Sequence, residues 1–255
     1  MLIMGMQWAF TLVALVLGLV GLRIGSLRSG GEALYALGWR LAGVAFSMYA
    51  LCMTVQHAWG TWAMVAGTES WVMVRYLEWA PAFNHSRTFL LVAFFGVLGW
   101  FMLRRDPPSR GVWSVGVAIV VAGLIGGAWL GLVEGSLVTS THYTRVALWD
   151  AAELLVVLTT LFIGLVTNRM DRHLWALLTT FAVVVALNIL YYAAISLVND
   201  SRVWSPRLWV MGSYRLVLIL AMLGIALRRL QLARRGVSVG GLLQGSIRPA
   251  PATMR

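Results

Sequence analysis

Residues 111–134 read GVWSVGVAIVVAGLIGGAWLGLVE, with no charged side chain before the closing Glu134. At 1.5 Å per residue, such a run crosses the roughly 30 Å hydrocarbon core of a bilayer. It has no polar stripe that would suit a helix with one wet face. The turn before it, Arg104-Arg105-Asp106-Pro107-Pro108-Ser109-Arg110, stops the preceding apolar run and carries three arginines. Outward from this pair the pattern repeats. Apolar runs fall at roughly 8–27, 34–56, 86–103, 111–134, 145–167, 173–197 and 206–227, which makes seven candidate spans. The 255 residues are 60% hydrophobic and 11% charged, with a mean hydropathy of +0.82. A soluble domain carries roughly 25% charged residues, so a soluble enzyme, a disordered chain and a disulfide-stapled secreted domain are excluded. The expected fold is all-α, a polytopic seven-transmembrane-helix bundle over residues 1–236, with a disordered cytoplasmic tail at 237–255.

The formal charge of +11 is distributed by side. Loops on one side of the seven spans hold thirteen arginines and three acids, a net of +10. The other side, counting Asp150 and Glu153 in the outer part of span five, holds five arginines and six acids, a net of −1, and Arg40 and Arg215, within spans, make up the remaining +2. Positive charge stays in the cytoplasm, so the N-terminus is expected outside and the C-terminus inside. The basic character is then a topology signal, and no nucleic-acid partner is expected. The first apolar run lacks a basic n-region and a small-residue cleavage site, so it reads as helix one. Cys52 is the single cysteine and can form no intrachain disulfide. All twenty basic residues are arginine, a composition that suits a G+C-rich bacterial genome and places the protein in a bacterial inner membrane.

Ionisable groups inside a bilayer are costly and point to function by default. Span five carries Asp150 and Glu153, span six Asn188, Tyr191 and Tyr192, and span seven Tyr214 and Arg215. Glu153, Asn188 and Arg215 all fall on the order of 10 Å from the outer ends of their spans. Asp150 and Glu153 are three apart and face the same way, so both are expected to reach Arg215. Two readings stay open: an ion pair that fixes how the helices meet, or an outward-opening pocket for a ligand, ion or proton. His57, His85 and His142 lie on the outer side, but no metal- or haem-binding spacing joins them. No metal site is expected, and a non-covalent chromophore or haem is left open.

Gly127, Gly131 and Gly135 form a stripe at four-residue spacing on span four, and Gly21 and Gly25 a shorter one on span one. Such stripes let helices approach closely, either within the chain or in a homodimer through the Gly127/Gly131/Gly135 face. The aromatic-rich stretch from His57 to His85 is the longest connection. Residues 69–80 within it can form a short helix with Arg75 and Glu78 paired. That helix is either interfacial, a lid, or the outer extension of span three, with a break or kink at Pro81.

Two fragments carry a family resemblance. Span two reads Gly43-Val44-Ala45-Phe46-Ser47-Met48-Tyr49, and further on comes Arg75-Tyr76-Leu77-Glu78-Trp79. The first is similar to the G-[IV]-A-F-x-x-Y pattern on the second helix of the microbial rhodopsins. The second resembles the R-Y-x-[DE]-W that opens their third. The resemblance implies an opsin-like seven-helix fold with the N-terminus outside. It would put Glu78 at the carboxylate that takes the Schiff-base proton and Arg75 at the arginine beside it. The chain contains no lysine, so covalent retinal is excluded, and residues 173–197 lack the W-x-x-Y-P-x-x-W pattern of the family's sixth helix.

The functional expectation is a receptor-like or regulatory membrane protein. Its polar pocket would comprise Arg75, Glu78, Asp150, Glu153, Asn188, Tyr191 and Arg215, and it would act through a separate membrane or cytoplasmic partner. The alternatives are a transporter or enzyme using Asp150 or Glu153 as proton carrier, and a structural or assembly subunit of a membrane complex. No nucleophile elbow, P-loop or zincin motif is present.

Overall fold

Each of the seven apolar runs is a helix. In the computed structural model, which describes residues 2–27, 33–104, 110–134, 140–197, 204–239 and 247–249, they are α1 (Leu2–Ser26), α2 (Ala33–Ala66), α3 (Trp71–Leu103), α4 (Arg110–Glu134), α5 (Ser140–Thr167), α6 (Arg172–Leu197) and α7 (Trp204–Arg234). All seven are long and apolar enough to cross a membrane. Two ends of the bundle can be named by content. The amino end holds the start of α1, α3, α5 and α7; the arginine end holds the start of α2, α4 and α6.

Of the readings open for the stretch 57–85, the structure takes the one that extends span three: residues 71–85 open α3, and residues 57–66 lengthen α2 up to the short turn between them. Gly67 ends α2 with φ +97°, a left-handed conformation that suits glycine. Ser70 then caps α3, its hydroxyl accepting from the Met73 backbone N–H at 3.2 Å. Pro81 sits inside α3 without ending it. It removes one helical hydrogen bond, the one to the Leu77 carbonyl. The 33-residue α3 is about 50 Å long, so it tilts or projects beyond a bilayer core.

The helices close into a ring. α1 packs on α2 and α7, α2 on α3, α3 on α5, α5 on α6, and α6 on α7; α4 lies outside, against α3. Glycines set the two closest approaches. Gly18 and Gly21 of α1 face Gly43 of α2, where a Cβ on Gly43 would lie 2.8 Å from the Gly18 carbonyl oxygen. Gly123, Gly127 and Gly131 of α4 face α3, and a Cβ on Gly127 would lie 2.7 Å from the His85 carbonyl carbon. The stripe read as a homodimer face is therefore covered by α3 of the same chain at Gly127 and Gly131; Gly135 lies outside the described residues. We expect Gly43→Val and Gly131→Val each to destabilise the fold by about 1–3 kcal/mol, because backbone cannot move aside as a side chain can. Gly126→Ala, with nothing within 4 Å, should leave the thermal midpoint in detergent unchanged or slightly raised.

Inside the ring, Phe181 of α6 brings together α2 and α3, its ring centroid 5.9 Å from that of Phe46 and 5.4 Å from that of Phe95. Leu98, Leu174, Leu177 and Leu178 fill the space towards the arginine end. The outward faces are also apolar, as Leu155, Phe162 and Val166 on α5 and Ile125 and Trp129 on α4 show, which is what lipid as solvent requires. The tail differs from the expected disorder in one respect. Val237–Val239 pairs antiparallel with Ile247–Pro249, Val237 opposite Pro249, as β-branched residues in short alternation favour. Residues 240–246 and 250–255 lie outside the described residues.

Candidate functional site

The middle of the ring interior is apolar except where α5 faces α3 and α7. α5 presents Asp150 and Glu153 inward from one face, and they are 3% and 4% exposed. α3 adds Arg87 and Thr88, α2 Tyr49, α6 Asn188 and α7 Arg215, and all of these line one cavity. Two carboxylates and two guanidiniums thus share a space whose floor, towards the arginine end, is Phe46, Phe181 and Met222. The cavity measures about 30 Å³. That admits one or a few water molecules, whereas pockets for organic ligands run to roughly 300–1,000 Å³.

The arginines are held by neutral partners. Arg215 Nε donates to Asn188 Oδ1 at 2.8 Å, and its Nη2 reaches the Tyr192 hydroxyl at 3.5 Å. Tyr214 donates to the same Asn188 oxygen at 2.7 Å. Arg87 Nη1 lies 3.2 Å from the Met53 sulfur, and its guanidinium sits 5.7 Å from the Tyr49 ring centroid. The expected pairing of Asp150 and Glu153 with Arg215 is thus replaced: Asn188 and Tyr192 take the arginine's donors. Thr88 serves as the hydrogen-bonding neighbour of Asp150. Asp150 Oδ2 and Glu153 Oε1 are buried with no hydrogen-bond partner. A buried carboxylate oxygen in that state is costly, so the site invites a small donor.

Four of the seven residues read as a pocket converge here: Asp150, Glu153, Asn188 and Arg215. Tyr191 stands beside the site, its ring 5.4 Å from Tyr192, and does not line the cavity. Arg75 and Glu78 are apart from it. They pair with each other at 2.8 Å near the start of α3, with side chains 62% and 48% exposed, about 18 Å along the helix from Arg87. An exposed pair of this kind contributes about 0–1 kcal/mol. We expect Glu78→Ala to change neither stability nor any response of the buried cluster, checked by thermal unfolding and by pH titration of fluorescence.

Arg87, Thr88 and Tyr49 are the site residues the sequence reading missed. With span three started at residue 86, Arg87 counts as an end residue that reaches water. Once α3 is one helix from Trp71, it is an arginine well inside a span, and its cost there signals function. Among the histidines, His57 Nδ1 is 3.0 Å from the Thr11 hydroxyl, and His85 is buried where α3 meets α4. The His142 side chain lies outside the described residues. Among the described residues, no group of three His, Cys, Asp or Glu side chains is placed to hold a metal ion.

A second charged cluster sits at the arginine end. Asp171 caps α6, its Oδ1 accepting from the His173 backbone N–H at 2.7 Å. Its Oδ2 accepts from Arg229 Nε of α7 and from Trp39 Nε1 of α2, the latter at 3.3 Å. Asp171 is fully buried, and Trp39 and Arg229 are nearly so. Burial pushes the Asp171 carboxyl up, but the His173 hydrogen bonds and the Arg229 guanidinium outweigh it and hold it below the usual carboxylate range. Nearby, Arg169 donates to the Met102 carbonyl at 3.0 Å, and Arg40 donates to the Gly25 carbonyl. These contacts join five of the helices at one end.

Fold and site together define a class: a bundle of seven membrane-length helices with a buried acid–arginine cluster in its interior. Comparison with protein-family models, with curated proteins and with solved structures finds no match.

Proposed function

We propose that the chain is a receptor-like or regulatory protein of the bacterial inner membrane whose buried Asp150/Glu153 cluster takes up a proton from the amino end. The observation that carries this reading is the pair of partnerless carboxylate oxygens in a cavity of about 30 Å³. A proton, alone or with water, is small enough to enter and supplies the missing donor; an organic ligand is too large for the space. The charge asymmetry of the loops supports an outer amino end and a cytoplasmic arginine end. Every group facing the pair takes part in its electrostatics: Arg87 and Thr88 from α3, Tyr49 from α2, Asn188 and Tyr192 from α6, and Arg215 and Tyr214 from α7. A change of charge on α5 alters its attraction to α3 and α7. Those helices run to the arginine end, where a separate partner can read the shift.

The test is a pH titration of intrinsic tryptophan fluorescence in mild detergent. Trp59 and Trp79 lie at the amino end with ring centroids 6.4 Å apart and report on movement of α2 against α3. The wild type should show a reversible transition, and the Asp150→Asn/Glu153→Gln double variant should lose it. An unchanged transition in the double variant would contradict the reading.

A further inference from the structure

If the cluster exchanges protons, as the proposed function holds, a route must join it to water, and the ring interior narrows the choice. Phe46, Phe181 and Met222 close the cavity towards the arginine end. The contact of α4 with α3 is sealed by Gly127 and Gly131 against the α3 backbone. The α2–α3 seam is different. On α2, Tyr49, Met53, Gln56 and Gly60 recur at helical spacing along one face; on α3, Arg87, Asn84 and Tyr76 answer them. Arg87 touches Tyr49 and Met53. One turn nearer the amino end, Gln56 Nε2 donates to Asn84 Oδ1 at 3.2 Å. Gln56 also hydrogen-bonds the Tyr76 hydroxyl, and a Cβ on Gly60 would lie 3.0 Å from that hydroxyl oxygen. Polar side chains in a helix–helix contact between apolar spans are expensive and mark pathways.

We infer that the α2–α3 seam is the proton route to the Asp150/Glu153 pair, with Gln56 and Asn84 as its positioning residues. Their amides do not carry the proton. They hold water in file between the Tyr76 hydroxyl and the Arg87 end of the cavity, each amide offering both a donor and an acceptor. Replacing either by leucine keeps the bulk and removes both functions.

The experiment follows the infrared C=O stretch of the protonated carboxyl after a rapid change from H2O to D2O. In wild type the band should shift as deuterium replaces the proton. Asn84→Leu and Gln56→Leu should slow that shift by about tenfold or more, with the band at its wild-type position before the jump. Asn84→Ser, which restores a hydrogen-bonding group, should recover most of the rate. His57→Leu, which disturbs the neighbouring α1–α2 contact, should exchange at the wild-type rate. Leucine variants that exchange as fast as wild type would overturn the route, as would a His57→Leu variant slowed equally. A wild type with no such band would remove the proposed function itself, an outcome distinct from a band whose rate ignores the seam.

Discussion

Asp171→Leu will destabilise the protein by about 3–5 kcal/mol, the penalty for leaving a buried guanidinium without its carboxylate. Three elements meet on this one side chain: the α6 N-terminus through the His173 N–H, α7 through Arg229, and α2 through Trp39. Thermal unfolding in detergent, followed by helical circular dichroism, measures the loss. Arg229→Leu should cost a similar amount. The double variant should cost less than the sum, because the two single variants remove the same Asp171–Arg229 contact. The pH dependence has a definite sign. Asp171 titrates below its unfolded value of about 3.9, so its contribution is fully present above that value. It is lost as the pH falls through the lower folded value. Asp171→Asn should remove that part of the acid sensitivity while keeping the side chain's shape.

Arg215→Leu will abolish the pH response of the bundle while leaving seven inserted helices. Arg215 links α7 to α6 through Asn188 and Tyr192 and supplies one of the two positive charges lining the cavity with the acid pair. Its loss leaves Asn188 with the Tyr214 donor, so the structural cost is about 1–3 kcal/mol, below that of Asp171→Leu. The fluorescence transition should vanish. Arg215→Lys is a sharper probe. An ammonium keeps the charge but lacks the planar fork that reaches two partners at once, so the transition should survive with smaller amplitude. A full response in Arg215→Leu would remove this residue from the site.

The seven spans were legible because a bilayer demands runs of about 20 apolar residues, and 111–134 or 173–197 can be little else. Helix ends were less legible where polar residues intrude. Asn84-His85-Ser86-Arg87 and Pro81 look like a boundary, yet α3 passes through them, because Arg87, Asn84 and His85 find partners or burial inside the bundle. That single boundary hid Arg87. Depth along the helix was enough to bring Asp150, Glu153, Asn188 and Arg215 to one level. It could not tell that Asn188 and Tyr192, rather than the carboxylates, take the arginine's donors, since that depends on side-chain direction within one turn. Arg75 and Glu78 entered the predicted pocket on a local motif, and the length of α3 carries them out of it. Asp171 and Arg229 are 58 residues apart, and each reads by itself as an ordinary loop charge on the basic side. The Asp before the first turn of α6 was the one local sign, an N-cap.

The direct measurement is the infrared spectrum of the wild-type protein in the carboxyl C=O region, compared with those of Asp150→Asn and Glu153→Gln. The expected result is a protonated-carboxyl band that responds to D2O and is lost in at least one of the two variants. A folded wild type with no such band at any pH would leave two permanently ionised carboxylates in a fixed ion cluster, and would contradict proton uptake at this site.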